Sequence, residues 1–189
     1  MIDPLTLLAE DRTRARENGD PCAGLCTLAN VDAHGLPQAR TVILRDLDDR
    51  LAVFVNATSP KFAHLGHVVA VVWLPSLNVQ YRLACVTEPV PHDLVAESWQ
   101  LRPEVPKHMD WLYTRVQGQS TPVASRATLL TMLASVELPD PLTAPSTASG
   151  FYLRPGTIDR LDLNQENGVH DRRRYTAGNP TWREEVLVP

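Results

Sequence analysis

Cysteine is scarce in this chain. Only Cys22, Cys26 and Cys85 occur, neither an even set nor a CxxC pair, which argues against a disulfide framework and a thiolate metal site. Reduced thiols and a cytoplasmic location are expected, with Cys22 and Cys26 read as a buried thiol pair. Long apolar runs are lacking as well. The longest, Val68 to Pro75 (VVAVVWLP), falls far short of the roughly 20 residues of a membrane helix and is read as a buried strand. The opening MIDPLTLLAEDRTRAR has no basic segment followed by an apolar stretch, so no secretory signal is expected. Positive charge is not in excess either: the formal net charge is −4, which disfavours a nucleic-acid partner. GxGxxG and GxxxxGK[ST] loops, a βαβ rhythm, a GxSxG elbow, internal repeats and heptads are all missing, so Rossmann, P-loop and hydrolase-elbow sites are disfavoured. The six histidines are dispersed, and the pair His64 and His67 lacks a third ligand, so no metal site is expected.

What remains is a chain of 189 residues, 43% hydrophobic and 21% charged, which fits one globular domain over residues 1–189. Asp3 and Pro4 are suited to start a helix that ends at Asn18-Gly19, with Leu5, Leu8 and Ala15 on its apolar side. The period then changes to that of strands, and five strands are predicted between residues 24 and 90. Helical segments are predicted at His92–Leu101, Met109–Gln117 and Ser125–Val136. A Pro/Ser/Thr-rich surface linker follows at Leu138–Gly150, and further strands at GFYLRPGTIDRLDL, HDRRRYT and TWREEVLVP. Short turns between strands argue for antiparallel neighbours. The expected fold class is mainly β, an antiparallel barrel with peripheral helices.

Three segments could carry chemistry. Arg40 and Arg45 stand roughly 16 Å apart along one strand, the length of an extended mononucleotide, although odd spacing puts them on opposite faces unless the strand is bulged. The plain alternative is two solvent-facing arginines. Ser59-Pro60-Lys61 can cap a helix whose N-terminus, with the lysine, would attract phosphate; an ordinary capped helix reads the same way. His170, Arg172 and Arg174 share one face of a strand, where they could bind an anionic substrate or simply form a solvated basic strand.

Together these segments resemble the pyridoxamine 5′-phosphate oxidase family, flavin enzymes built on a split β-barrel. The likeness is carried by DPLTLL, VDAHGLPQARTVILR, VFVNATSPKFAHL, NVQYRLACV, Gln119-Ser120, HDRRRY and TWREEVLVP, in that order over most of the chain. The resemblance implies an FMN site between two subunits of a homodimer, with Arg40 and Lys61 on the phosphate and Ser59 nearby. It places the backbone of Thr41, Val42, Ile43 and Leu44 along the cofactor, with Arg45 beside it. Phe54 and Val55 stand where the family usually has Tyr-Thr; Gln80 falls near the ring, Gln119 and Ser120 match the polar pair, and Arg172 closes the site. On the substrate side the resemblance implies Arg45, Ser98, Arg102 and His170, with His170 and Arg45 nearest the reaction. There Arg45 replaces a lysine, Ser98 a tyrosine, Gly168 an arginine, and Leu161 or Asp162 an aromatic residue. The implied activity is hydride transfer from a small anionic ring substrate, by default pyridoxamine or pyridoxine 5′-phosphate, to flavin N5, with dioxygen as acceptor. The altered substrate positions keep two alternatives open: a related flavoenzyme with another substrate, and a flavin-binding module without turnover.

Overall fold

Asp3 and Pro4 start the first helix as the sequence predicts. In the computed structural model, which describes residues 3–179 and 181–189, α1 spans Pro4–Glu17, and the Asp3 carboxylate accepts from the backbone N–H of Thr6 at 3.2 Å. Its inward side is not purely apolar, because Asp11 and Arg12 are buried beside Leu8 and Ala15. Buried charge is tolerated where it is paired. Arg12 donates to the carbonyls of Ala23 and Leu44 and to Asp46, while Asp11 takes the Tyr81 hydroxyl and the Arg160 guanidinium.

The strands follow in chain order as β1 (Leu25–Val31), β2 (Pro37–Ile43), β3 (Arg45–Leu47), β4 (Arg50–Asn56), β5 (His67–Leu74) and β6 (Val79–Pro89). Three helices come next, α2 (His92–Gln100), α3 (Glu104–Arg115) and α4 (Arg126–Ser135), then β7 (Ala148–Asp162), β8 (Asp171–Thr176) and β9 (Arg183–Leu187). Neighbouring strands pair antiparallel in the order β2-β1-β5-β6-β7-β4-β3, with β8 beside β7 and β9 beside β8. β2 and β3 stand at opposite ends of the main order, yet only Leu44 separates them in the chain. The sheet must therefore curl until its ends meet. The result is the expected antiparallel split β-barrel with helices outside it.

Several expectations are corrected. Six strands, not five, precede residue 90, because the run ARTVILRDLD is two strands: pairing with β1 ends at Ile43 and pairing with β4 starts at Arg45. α3 begins at Glu104 rather than Met109; Pro106 lies in its first turn, where a missing N–H breaks no helical bond. The linker is shorter than Leu138–Gly150, since its last three residues already belong to β7. Cys22 is only half-buried, and the two buried thiols are Cys26 and Cys85, which burial pushes up to about 11 and about 12.

The core lies inside the curl, where Leu28, Val53, Ala70, Val72, Tyr81, Leu83 and Ile158 are essentially inaccessible. The run Val68 to Pro75 is buried on one face only: Val68, Ala70, Val72 and Leu74 point inward, while Val69 and Val71 are half-exposed and Trp73 is exposed. Val31 on β1 and Ile43 on β2 are exposed as well.

Candidate cofactor and substrate site

Where the ends of the sheet meet, β2, β3 and β4 form one wall of a cavity of about 980 Å³. Ser59, Pro60, Lys61, α2, α3, the segment after α3 and the start of β7 form the rest. The strand break at Leu44 answers the spacing problem of Arg40 and Arg45: the chain changes partner between them, and both line the cavity. Leu44 itself does not. Its side chain is in the core, its N–H donates to Gly24 O at 2.9 Å, and its carbonyl accepts from Arg12 at 2.9 Å. Thr41, Val42 and Ile43 do line the cavity, as do Phe54 and Val55 from β4.

Arg40 donates to the Leu28 carbonyl at 3.2 Å and to the Asn30 side chain, both neutral acceptors. Lys61 donates to Ser59 Oγ at 2.8 Å. Among the described residues neither cation, nor Arg45, has a carboxylate within ion-pair distance, whereas most other arginines do. Burial lowers the pKa of both, and the charge of Arg40 lowers that of Lys61 further. Two neighbouring cations without a counter-ion favour an anion between them. Helix polarity adds little, because Pro60–His64 is a single five-residue 3-10 turn and Ser59, expected as its cap, makes no capping hydrogen bond. Ser59 instead is buried and holds the Lys61 ammonium.

Gln119 and Ser120 are brought in by a relay that the sequence reading missed. Asn56, buried at the end of β4, accepts from the N–H and hydroxyl of Thr58 at 3.0 and 2.7 Å, and Thr58 Oγ1 accepts from Gln119 N at 3.1 Å. The Gln119 side-chain oxygen is itself buried, with no donor among the described residues. The signal was available in NAT, a polar residue closing an apolar strand with a hydroxyl two positions on, the pattern of an Asx turn.

From the helices, Ser98 and Trp99 of α2 and Met109, Asp110 and Tyr113 of α3 also line the cavity. Arg102 pairs with Asp110 at 3.0 Å, and the Trp99 indole N–H donates to the same carboxylate oxygen at 2.8 Å. Burial raises the Asp110 pKa, opposed by the charge of Arg102 and by hydrogen bonds from the Trp99 and Asn56 side chains. Arg45 lies over the Phe54 ring, 5.9 Å from its centroid.

Not all expected residues gather there. Gln80, Leu161, His170 and Arg172 line a separate hollow of about 270 Å³ on β6, β7 and β8, together with Arg82 and Asp159. Three arginines converge on Asp159: Arg174 at 2.7 Å, Arg82 at 2.7 Å and Arg172 at 3.3 Å. The Arg174 hydrogen bond leads in drawing its pKa down to about 2, against burial. Gly168 sits at φ +73°, a region that disfavours the arginine of the family pattern.

No family model matches the chain. Curated relatives do. The pyridoxine/pyridoxamine 5′-phosphate oxidase of Mycolicibacterium smegmatis is 32% identical over 98% of this chain and 80% of its own length. The protein of that name from Myxococcus xanthus is 32% identical over 99% and 92%. The chain belongs to the pyridoxine/pyridoxamine 5′-phosphate oxidase family. Solved structures agree on the fold of this family member. PhzG from Burkholderia lata superposes with a TM-score of 0.83 at 20% identity, covering 99% of this chain and 93% of its own. A pyridoxamine 5′-phosphate oxidase-related, FMN binding protein from Nostoc punctiforme gives 0.76 at 20% identity, covering 97% and 96%. Among the described residues of this family member, no helix is long and apolar enough to cross a membrane.

Proposed function

We propose that this chain is an FMN-dependent oxidoreductase acting on a small anionic ring substrate in the cytoplasm. The observation that carries the proposal is the convergence of Arg40 and Lys61, two cations without a carboxylate partner among the described residues, on one cavity. A phosphate monoester dianion suits that pair. The buried Gln119 oxygen, with no donor among the described residues, suits a ribityl hydroxyl, so the residues present fit FMN. When bound, FMN supplies the electron chemistry, accepting hydride at N5 and passing electrons to dioxygen.

The chain's own residues would bind and orient. Arg40, Lys61 and Ser59 hold the phosphate, Gln119 and Ser120 meet the polyol, and the Thr41–Ile43 backbone follows it. Arg45 takes the anionic group of the substrate, over the face of Phe54. Gln80, His170 and Arg172 face a different hollow of the same chain. In this reading they complete the cavity of a second copy, so the working unit is a homodimer. The exposed apolar residues on the outer sheet face support it.

A second reading, FMN binding without oxidase turnover, is favoured by Ser98, which is too short to reach as a tyrosine would, and by Gly168, where the backbone disfavours arginine. Loading the purified protein with FMN and adding pyridoxine 5′-phosphate and other ring compounds without oxygen separates the readings. Bleaching of the flavin colour, restored by air, supports the oxidase. A yellow protein that nothing bleaches supports the second reading. Protein that refuses FMN overturns both.

A further inference from the structure

We propose that Asp110 is a specificity-determining residue. By pairing with Arg102 it makes the substrate end of the cavity a site for a planar, largely apolar ring bearing one negative charge, and turns away a phosphate dianion. The inference rests on the reading that this cavity holds flavin and substrate together.

The argument is one of charge and of what is already bonded. Besides Arg40 and Lys61, which the phosphate of the flavin would occupy, the cations lining the cavity are Arg45 and Arg102. Arg102 is not free. Asp110, 5% exposed at its side chain, accepts from Arg102 at 3.0 Å and from the Trp99 indole at 2.8 Å. The two arginines and one carboxylate sum to a single positive charge. A phosphate monoester carries roughly −1.5 to −2 near neutral pH. To gain Arg102 it must draw the guanidinium from Asp110, leaving a buried carboxylate without its counter-ion and close to a second anion, which is strongly unfavourable. The Trp99 N–H cannot replace the arginine, because it brings a hydrogen bond but no charge.

Arg45 is different. Its guanidinium lies over the Phe54 ring, and among the described residues no carboxylate pairs with it. A planar guanidinium fork matches one carboxylate through two parallel hydrogen bonds. Around the pair the wall is apolar and aromatic, with Val95, Trp99, Val105, Met109 and Tyr113. Such a wall suits a ring buried by its faces rather than a heavily hydrated phosphate. α3 is the element responsible, since it supplies Asp110, Met109 and Tyr113 together.

The test uses the full chain loaded with FMN, so that the Arg40–Lys61 pair is occupied and cannot bind added phosphate. Three probes are titrated while the flavin absorption is followed: pyridoxine, pyridoxine 5′-phosphate and quinoline-4-carboxylate. The expected order has the carboxylate tightest, by tenfold or more over the phosphate ester. Either of the other two binding tightest overturns the proposal. Asp110→Asn keeps the shape and releases Arg102, and is expected to raise the affinity ratio of pyridoxine 5′-phosphate to pyridoxine at least tenfold. A merely structural role would weaken both probes alike and leave that ratio unmoved, which also overturns it. If the variant fails to fold, the order measured on the unmodified protein decides. Protein that takes up no FMN overturns the parent reading and this one together, whereas FMN uptake with a preference for the phosphate ester overturns this one alone.

Discussion

Burial lowers the pKa of both Arg40 and Lys61, and that of Lys61 falls further because the charge of Arg40 is close by. Each charge-assisted contact to a phosphate contributes roughly 1.5–3 kcal/mol. Arg40→Ala and Lys61→Ala are therefore each expected to weaken FMN binding by about 10- to 150-fold. Quenching of flavin fluorescence measures this, and an unchanged dissociation constant in both variants refutes the phosphate assignment. Asp159 gives an expectation for pH. Its pKa falls from an ordinary 3.8 to about 2 in the folded chain, so the unfolded chain takes up the proton first. The stabilisation is present above pH 4 and is lost as pH falls through about 2, and the shift corresponds to about 2 kcal/mol. Urea unfolding between pH 5 and pH 2 should show that loss in the unmodified protein and a flatter profile in Asp159→Asn. At this scale the sequence was partly legible. Arg40 and Lys61 stood out against weakly charged surroundings, but Asp110 in EVPKHMDWLY looks like any charge on a solvated helix face. Its burial comes from the packing of α3 on the barrel, which no local pattern encodes.

Among the elements, the corner at Leu44 matters most, because it turns two arginines of odd spacing into neighbours on one cavity. Arg12 braces that corner from α1 through the Leu44 carbonyl and Asp46. Alternation and β-branched content made the strand run readable, but the change of partner at Leu44 depends on β1 and β4, which lie elsewhere in the chain. The start of α3 was not legible either: it lies at Glu104, five residues before the expected Met109, with Pro106 in its first turn. The β4–β7 pair offers a test of how the cavity floor is built. Gly150 pairs with Phe54, and a Cβ there would lie 3.0 Å from two atoms of the Phe54 ring and 3.3 Å from Val90 Cβ. Gly150→Ala must therefore displace the ring of Phe54, which lines the cavity. The expected cost is about 1–3 kcal/mol of folding stability, with FMN affinity falling alongside. Urea unfolding and flavin titration on the same variant check both, and a variant with unchanged stability and affinity would show that the floor is softer than this.

Across the whole molecule, the apolar run Val68 to Pro75 poses a question that one chain does not answer. Its continuous apolarity reads as a strand buried on both faces, yet a single chain buries only alternate residues and leaves Val69, Val71 and Trp73 outward. Exposed Val31 and Ile43 extend that face. A second copy packed on it would bring the reading and the fold into agreement, and would also let the Gln80–His170–Arg172 hollow meet a partner cavity. The two requirements can be tested with one substitution. Val71 lines neither the main cavity nor the Gln80–His170–Arg172 hollow and its side chain points away from the core, so the fold should tolerate Val71→Glu. In a C2 contact the same residue faces the partner from both sides, and two buried carboxylates would oppose association. Sedimentation equilibrium should find the unmodified protein at twice the chain mass and Val71→Glu at the chain mass. The same variant should bind FMN at least tenfold more weakly, because its Arg40 and Lys61 remain while the partner's groups are lost. Loss of dimer with full FMN affinity would place the entire flavin site within one chain. A monomeric unmodified protein that binds FMN tightly would remove the second copy from the site altogether.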